Sequence, residues 1–161
     1  MSSPRSERRS AEEQARLDSA LIEIFEKKIS FNQVLGLKVR QLRPEMVVCF
    51  DMRPELVGHF HFGRLHGGVI SAALDALGGT AIFCALCDRH AQETPEQALA
   101  RFSKLGTIDL RVDYLRPGLG SSFVASAEVL RLGGRVGTAQ SRLCDEEGLL
   151  LATATGAYMV S

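Results

Sequence analysis

Gly63-Arg64-Leu65-His66-Gly67-Gly68-Val69-Ile70-Ser71-Ala72-Ala73-Leu74-Asp75-Ala76-Leu77-Gly78-Gly79 is the stretch on which the reading of this chain turns. A His-Gly-Gly opens an apolar run of helical character. From Gly68 to Gly79 the run holds one ionisable residue, Asp75. Helix neighbours on one face lie three, four and seven residues apart. For Asp75 these are Ala72 and Gly78, Ser71 and Gly79, and Gly68. The carboxylate therefore stands in a lane of residues with almost no side chain. A surface helix would surround an Asp with other charges. This one reads as buried, with room beside its charge for a ligand or a second chain. An ionisable group in an apolar helix needs a partner or a purpose. Pattern alone leaves two readings open. Either Asp75 does chemistry, or it caps or pairs with a neighbouring element while the glycines let a strand approach closely.

Working outward, 161 residues make one domain of ordinary size. Ser10-Ala11-Glu12-Glu13 has the form of a capping box. Leu17, Leu21, Ile24 and Ile29 follow at roughly helical spacing, which predicts an amphipathic helix over 10–29. The spans 34–43 and 45–53 read as two strands around Pro44, and 54–65 as a loop. The Gly-Gly helix runs to about 88–91, and Thr94-Pro95-Glu96 offers the start of a short helical turn. From Thr107 the chain turns to strands. Ile108, Leu110, Val112 and Tyr114 form one face of the first, and Asp109, Arg111 and Asp113 the other. The spans 122–132 and 135–145 are joined by Gly133-Gly134 as a two-residue hairpin turn. Asp145-Glu146-Glu147-Gly148 turns into a last strand over 149–160. Helix, two strands, long helix and four strands predict an α+β architecture, an antiparallel sheet wrapped around one long central helix, with an extra N-terminal helix. Residues 1–30 then form a tail and helix, and residues 31–161 the main domain.

Formal charge balances at zero, which argues against a nucleic-acid partner. No apolar stretch reads as long enough to span a bilayer. Residues 1–9 are polar with no apolar signal core behind them, which places the protein in the cytoplasm. Cys84 and Cys87 have metal or redox spacing, with His90 three residues on. They continue an apolar helix, however, and read with Cys49 and Cys144 as small buried residues rather than a metal site.

Leu65-His66-Gly67-Gly68 followed by Asp75, with Thr107-Ile108-Asp109-Leu110-Arg111-Val112-Asp113-Tyr114-Leu115-Arg116-Pro117 as a second signature, resembles the hotdog-fold acyl-CoA thioesterases of the phenylacetate-pathway type. The resemblance covers residues 31–160. It implies a hydrolase of acyl-CoA thioesters with no cofactor. The helix 68–79 looks closest to bacterial relatives acting on medium or long aliphatic chains. Two other readings of the fold stay open, a hydratase or dehydratase and a non-catalytic acyl-CoA sensor. The first usually sets a His and an Asp close together, whereas Asp75 comes nine residues after His66. The second has no use for Asp75. No Gly-x-Ser-x-Gly elbow is present to support a serine hydrolase.

Thioester hydrolysis needs a polarised carbonyl, an attacking water or carboxylate, and a leaving thiolate. A helix N-terminus supplies free N–H groups and the positive end of the dipole. Gly67 and Gly68 have no side chain to block that approach, and Gly67 is also the glycine the motif implies as oxyanion donor. Asp75 lies about 12 Å further along the same helix. It cannot reach a carbonyl held at its own helix start, so the geometry asks for two antiparallel helices from two subunits. The expected assembly is a homodimer or a dimer of dimers, with Asp75 as general base or nucleophile. The resemblance implies further roles. Thr107 orients water or is an ordinary strand-edge residue, and His66 holds the motif loop or takes part in the chemistry. His59, with His61 behind it, stands where many relatives carry an Asn. Arg116, with Arg64 and Arg135 as weaker candidates, meets the phosphates of coenzyme A or is a solvated surface residue.

Overall fold

The structure is a computed structural model and describes residues 8–161. Residues 1–7 of the predicted N-terminal tail lie outside the described residues. Helix α1 spans Ala11–Glu23 and begins with the expected capping box, in which Glu13 N–H donates to Ser10 Oγ at 3.1 Å. It runs into a π-helical turn, Ile24–Lys28. Leu17, Leu21 and Phe25 recur every four residues and are buried. A short helix α2, Ser30–Leu35, follows and is closed by Gly36 in the left-handed region at φ 73°. This corrects the strand expected from residue 34. The first strand, β1, is only Lys38–Gln41, and β2 is Met46–Asp51.

The stretch expected as a loop contains a small two-stranded ribbon, β3 (Val57–His59) and β4 (Arg64–Leu65), turning at Gly63 with φ 59°. Helix α3 spans Gly67–Arg89 and α4 spans Pro95–Ala100, the latter opened by a Thr94–Gln97 capping box. Strands β5 (Gly106–Tyr114), β6 (Ser122–Leu132), β7 (Val136–Asp145) and β8 (Leu150–Met159) complete the chain. The hairpin between β6 and β7 closes one residue later than read. Gly133 N–H donates to Val136 O, so Gly134 and Arg135 form its tip, and neither glycine needs a positive φ.

Six strands pair antiparallel in the order β1-β2-β6-β7-β8-β5. The sheet holds α3 against one face. Met46, Val48 and Phe50 of β2 and Phe123 and Ala125 of β6 meet Leu74 and Leu77 of α3 in the main core. A second cluster joins Leu17 and Leu21 of α1 to Ile82, Phe83 and Leu86 of α3 and to Tyr158 of β8. The α+β hotdog architecture is as the sequence predicts. The expectation that no stretch could span a bilayer is also corrected: α3 is itself long and apolar enough to cross a membrane. Its apolarity has another cause, since 67% of that stretch is buried inside the chain.

A further correction concerns β5. The register pairs Thr107 with Tyr158 and Asp109 with Ala157, leaving Ile108 as an extra, bulged residue that is 57% exposed. A bulge reverses the alternation of faces and re-aims a side chain. Leu110 and Val112 still pack on the core. Thr107, an odd-numbered residue, is brought to the same face and meets α3.

Candidate active site

At the middle of α3, Asp75 is half-buried, and the Thr107 hydroxyl donates to its Oδ1 at 2.9 Å. The bond joins two of the sequence-predicted residues and depends on the Ile108 bulge. Around it lies a cavity of about 290 Å³, lined on the helix side by Ala72, Ala76, Gly79 and Thr80. Ile29, Phe31 and Asn32 arrive from the α1–α2 segment, and Phe102, Leu105 and Tyr158 complete the wall.

The lane of small residues beside Asp75 is only partly open. Tyr158, almost fully buried, lies against Gly78 and Gly79. A Cβ at Gly78 would collide with the Tyr158 hydroxyl, and one at Gly156 would come within 2.6 Å of it. The hydroxyl donates to the main-chain oxygen of Asp75 at 3.3 Å. Burial, and then the negative charge of Asp75, push the Tyr158 phenol well above its ordinary range, so it stays a neutral donor. Sequence reading missed Tyr158 and Asn32, which come from segments far from the motif.

The start of α3 is organised by His66, the N-cap residue. Its Nδ1 accepts from Gly68 N–H at 2.8 Å, and its main-chain oxygen accepts from Val69 and Ile70 N–H. The Gly68 amide is thereby spent on the motif itself. Of the first four helix amides, Gly67 N–H alone has no partner among the described residues. The Gly67 carbonyl accepts from the Tyr114 hydroxyl at 3.0 Å, which pins the turn from the other side. An unspent N–H at the positive end of a 23-residue helix is a donor for developing negative charge.

Other predicted residues stand apart from this cavity. His59 and His61 are exposed on the β3–β4 ribbon, in ring contact with Phe60 and Phe62. Arg64 lies with its guanidinium carbon 4.5 Å over the Phe62 ring. Arg116 is exposed and donates to Leu150 O at 2.7 Å, and Arg135 sits at the hairpin tip. No group of His, Cys, Asp or Glu able to hold a metal occurs among the described residues. Burial pushes the Cys84 thiol up to about 12 and that of Cys87 to about 11, which leaves both inert.

Comparison with known proteins gives the site its context. The thioesterase superfamily model matches residues 62–152, which contain Gly67, Asp75 and Thr107. The chain is 40% identical over 139 residues to the medium/long-chain acyl-CoA thioesterase YigI of Escherichia coli strain K12, covering 86% of this chain and 90% of that protein. A crystal structure of a thioesterase-superfamily-related protein from Shewanella oneidensis superposes with a TM-score of 0.86 at 39% identity, over 92% of this chain and 97% of that one. A thioesterase family protein from Silicibacter pomeroyi, 22% identical, shares the fold with a TM-score of 0.68 over 88% of this chain and 96% of its own. With the family model matched over most of the chain and 40% identity to a thioesterase along nearly its whole length, the chain belongs to the thioesterase superfamily.

Proposed function

We propose that the protein hydrolyses medium- and long-chain acyl-CoA thioesters at a site shared by two copies of the chain. The observation that carries this reading is the Asp75 carboxylate, held by Thr107 in an otherwise largely apolar cavity. Thr107 donates its proton to Asp75 Oδ1 and leaves its own oxygen free to accept. Carboxylate and hydroxyl together make a two-oxygen cradle for one water, which favours Asp75 as general base. Asp75 takes the proton as the water oxygen attacks the thioester carbon. The carbonyl oxygen becomes an oxyanion on the Gly67 amide of the second copy, and collapse expels the coenzyme A thiolate, which recovers the proton. An oxyanion donor of this kind contributes about 3 kcal/mol. Identity to YigI supports the acyl-CoA substrate. Arg116, exposed beyond the cavity, is the group proposed to meet the nucleotide end.

Asp75→Asn tests the assignment, because it keeps the shape and removes the base. Turnover of acyl-CoA should fall about 10²- to 10⁴-fold with KM little changed. Melting temperature is measured on the same preparation. A variant that melts early yet turns over at the parent rate makes Asp75 a structural residue. Single turnover in ¹⁸O-water tests for the nucleophile: an unlabelled product acid with the label left on Asp75 shows an anhydride opened at the aspartyl carbon and overturns the general-base reading.

A further inference from the structure

The wall formed by Ile29, Phe31 and Asn32 comes from a segment that lies outside the 62–152 match to the family model. It is firmly held from behind. Asn32, 2% exposed, donates Nδ2–H to Phe25 O at 3.0 Å across the π-helical turn. Glu26 Oε1 accepts from Val39 N–H at 2.8 Å, and Arg53 donates to Val34 O. The opposite side of α2 is bare. Phe31 is 58% exposed at the cavity rim, and Val34, one turn on, is 59% exposed. Residues three apart share a helix face. Phe31 and Val34 thus carry the apolar wall of the cavity past its rim as a strip along one face of α2.

The cavity's chemistry says what covers that strip. Its polar end is Asp75 with Thr107. Elsewhere the lining's polar groups turn back on the protein: Thr80 Oγ1–H donates to Ala76 O at 2.8 Å, and the Tyr158 hydroxyl donates to Asp75 O. Ala72 to Thr80 spans about 12 Å of helix. The fitting ligand has one reactive polar end at Asp75 and an apolar tail along α3 and α2. We infer that Phe31 and Val34 are the chain-length-selecting residues, a greasy sill over which the part of an acyl chain too long for the cavity lies. This rests on the thioesterase reading above.

A series of saturated acyl-CoA substrates of increasing length, with thiol release as readout, tests it on the parent, Phe31→Ser and Val34→Ser. Both residues are more than half exposed, so the variants should fold. Contact with the sill is made equally in ground and transition state and therefore appears in KM. Phe31→Ser should raise KM for the longest chains about tenfold relative to the shortest, with kcat for those long chains held. Val34→Ser should do so only at lengths beyond those sensitive to Phe31. An unmoved length profile, or an equal fall in kcat at every length, overturns the inference. So does a change of assembly state by sedimentation, which would make the strip a subunit contact. A parent with no thiol release at any length overturns the proposed function instead.

Discussion

Gly78 is where a residue with no side chain decides the most. The Tyr158 hydroxyl occupies the volume that a Cβ there would need. Gly78→Ala should cost about 2 kcal/mol by overpacking, read as a lowered denaturant midpoint with unchanged slope. Adding Tyr158→Phe removes the colliding atom and should recover part of the loss. Full stability in Gly78→Ala alone would show that the ring gives way freely. Asp75 was legible in the sequence because it stands alone in an apolar helix. The reason for the glycines beside it was not, because the ring that fills their space arrives from a strand 83 residues away. Gly67 was legible as a motif glycine. That its amide alone is unspent required seeing His66 close on Gly68.

Among the elements, those with strong periodicity or local caps were readable: α1, α3, α4 and the strands β6 to β8. Helix α2 was not. It is six residues long and keeps Phe31 and Val34 in water, so it offers no apolar stripe. Gly36 directly after Leu35 was the available signal, since it closes the helix through Gly36 N–H to Gln33 O and Leu37 N–H to Asn32 O. The β5 bulge was equally hidden, because strict alternation put Thr107 on the wrong face. The two ends of α4 are bridged by an ion pair that supplies a pH test. Arg101 donates to Glu93 Oε2 at 2.8 Å. That bond, opposed by burial and aided by the charges of Arg101, His90 and Arg9, holds the Glu93 carboxyl below its ordinary 4.5. A depressed carboxylate stabilises the fold above its unfolded pKa and loses that contribution as pH falls through the folded one. Glu93→Gln should therefore lower stability by about 0.5 kcal/mol at neutral pH. Its melting curve should converge with the parent's on acidification below about 4.5. A gap that persists in acid would assign the loss to packing.

At the scale of the whole molecule, one chain separates Asp75 from its own Gly67 by about 12 Å of helix. Mixing two inactive variants tests the proposed shared site. Asp75→Asn and a folded Gly67→Val should each be nearly dead. Unfolded and refolded together, half of the dimers are mixed and one of their two sites is intact, giving about a quarter of parent turnover. No recovery would place both groups in a single chain's chemistry. The layer order was legible because the amphipathic patterns of helix and sheet must cover each other. What reached the central helix from outside the family core was not. Arg9 is one such contact: it donates to Cys87 O and His90 O at 2.6 and 2.9 Å and to Glu93 O at 3.0 Å, closing over the end of α3. Every one of those acceptors is main chain. The grip on the helix end therefore tolerates exchange of the Cys87 and His90 side chains, whereas Gln14, whose Oε1 accepts from Arg9 Nε at 3.1 Å, and the Glu93 carboxylate, which the Arg9 charge favours, add side-chain support. Arg9 has no such freedom, because a lysine offers one nitrogen where the guanidinium reaches three main-chain oxygens and Gln14 Oε1 in a fixed fork. Drift at Cys87 or His90 leaves the arm in place; drift at Arg9 releases it.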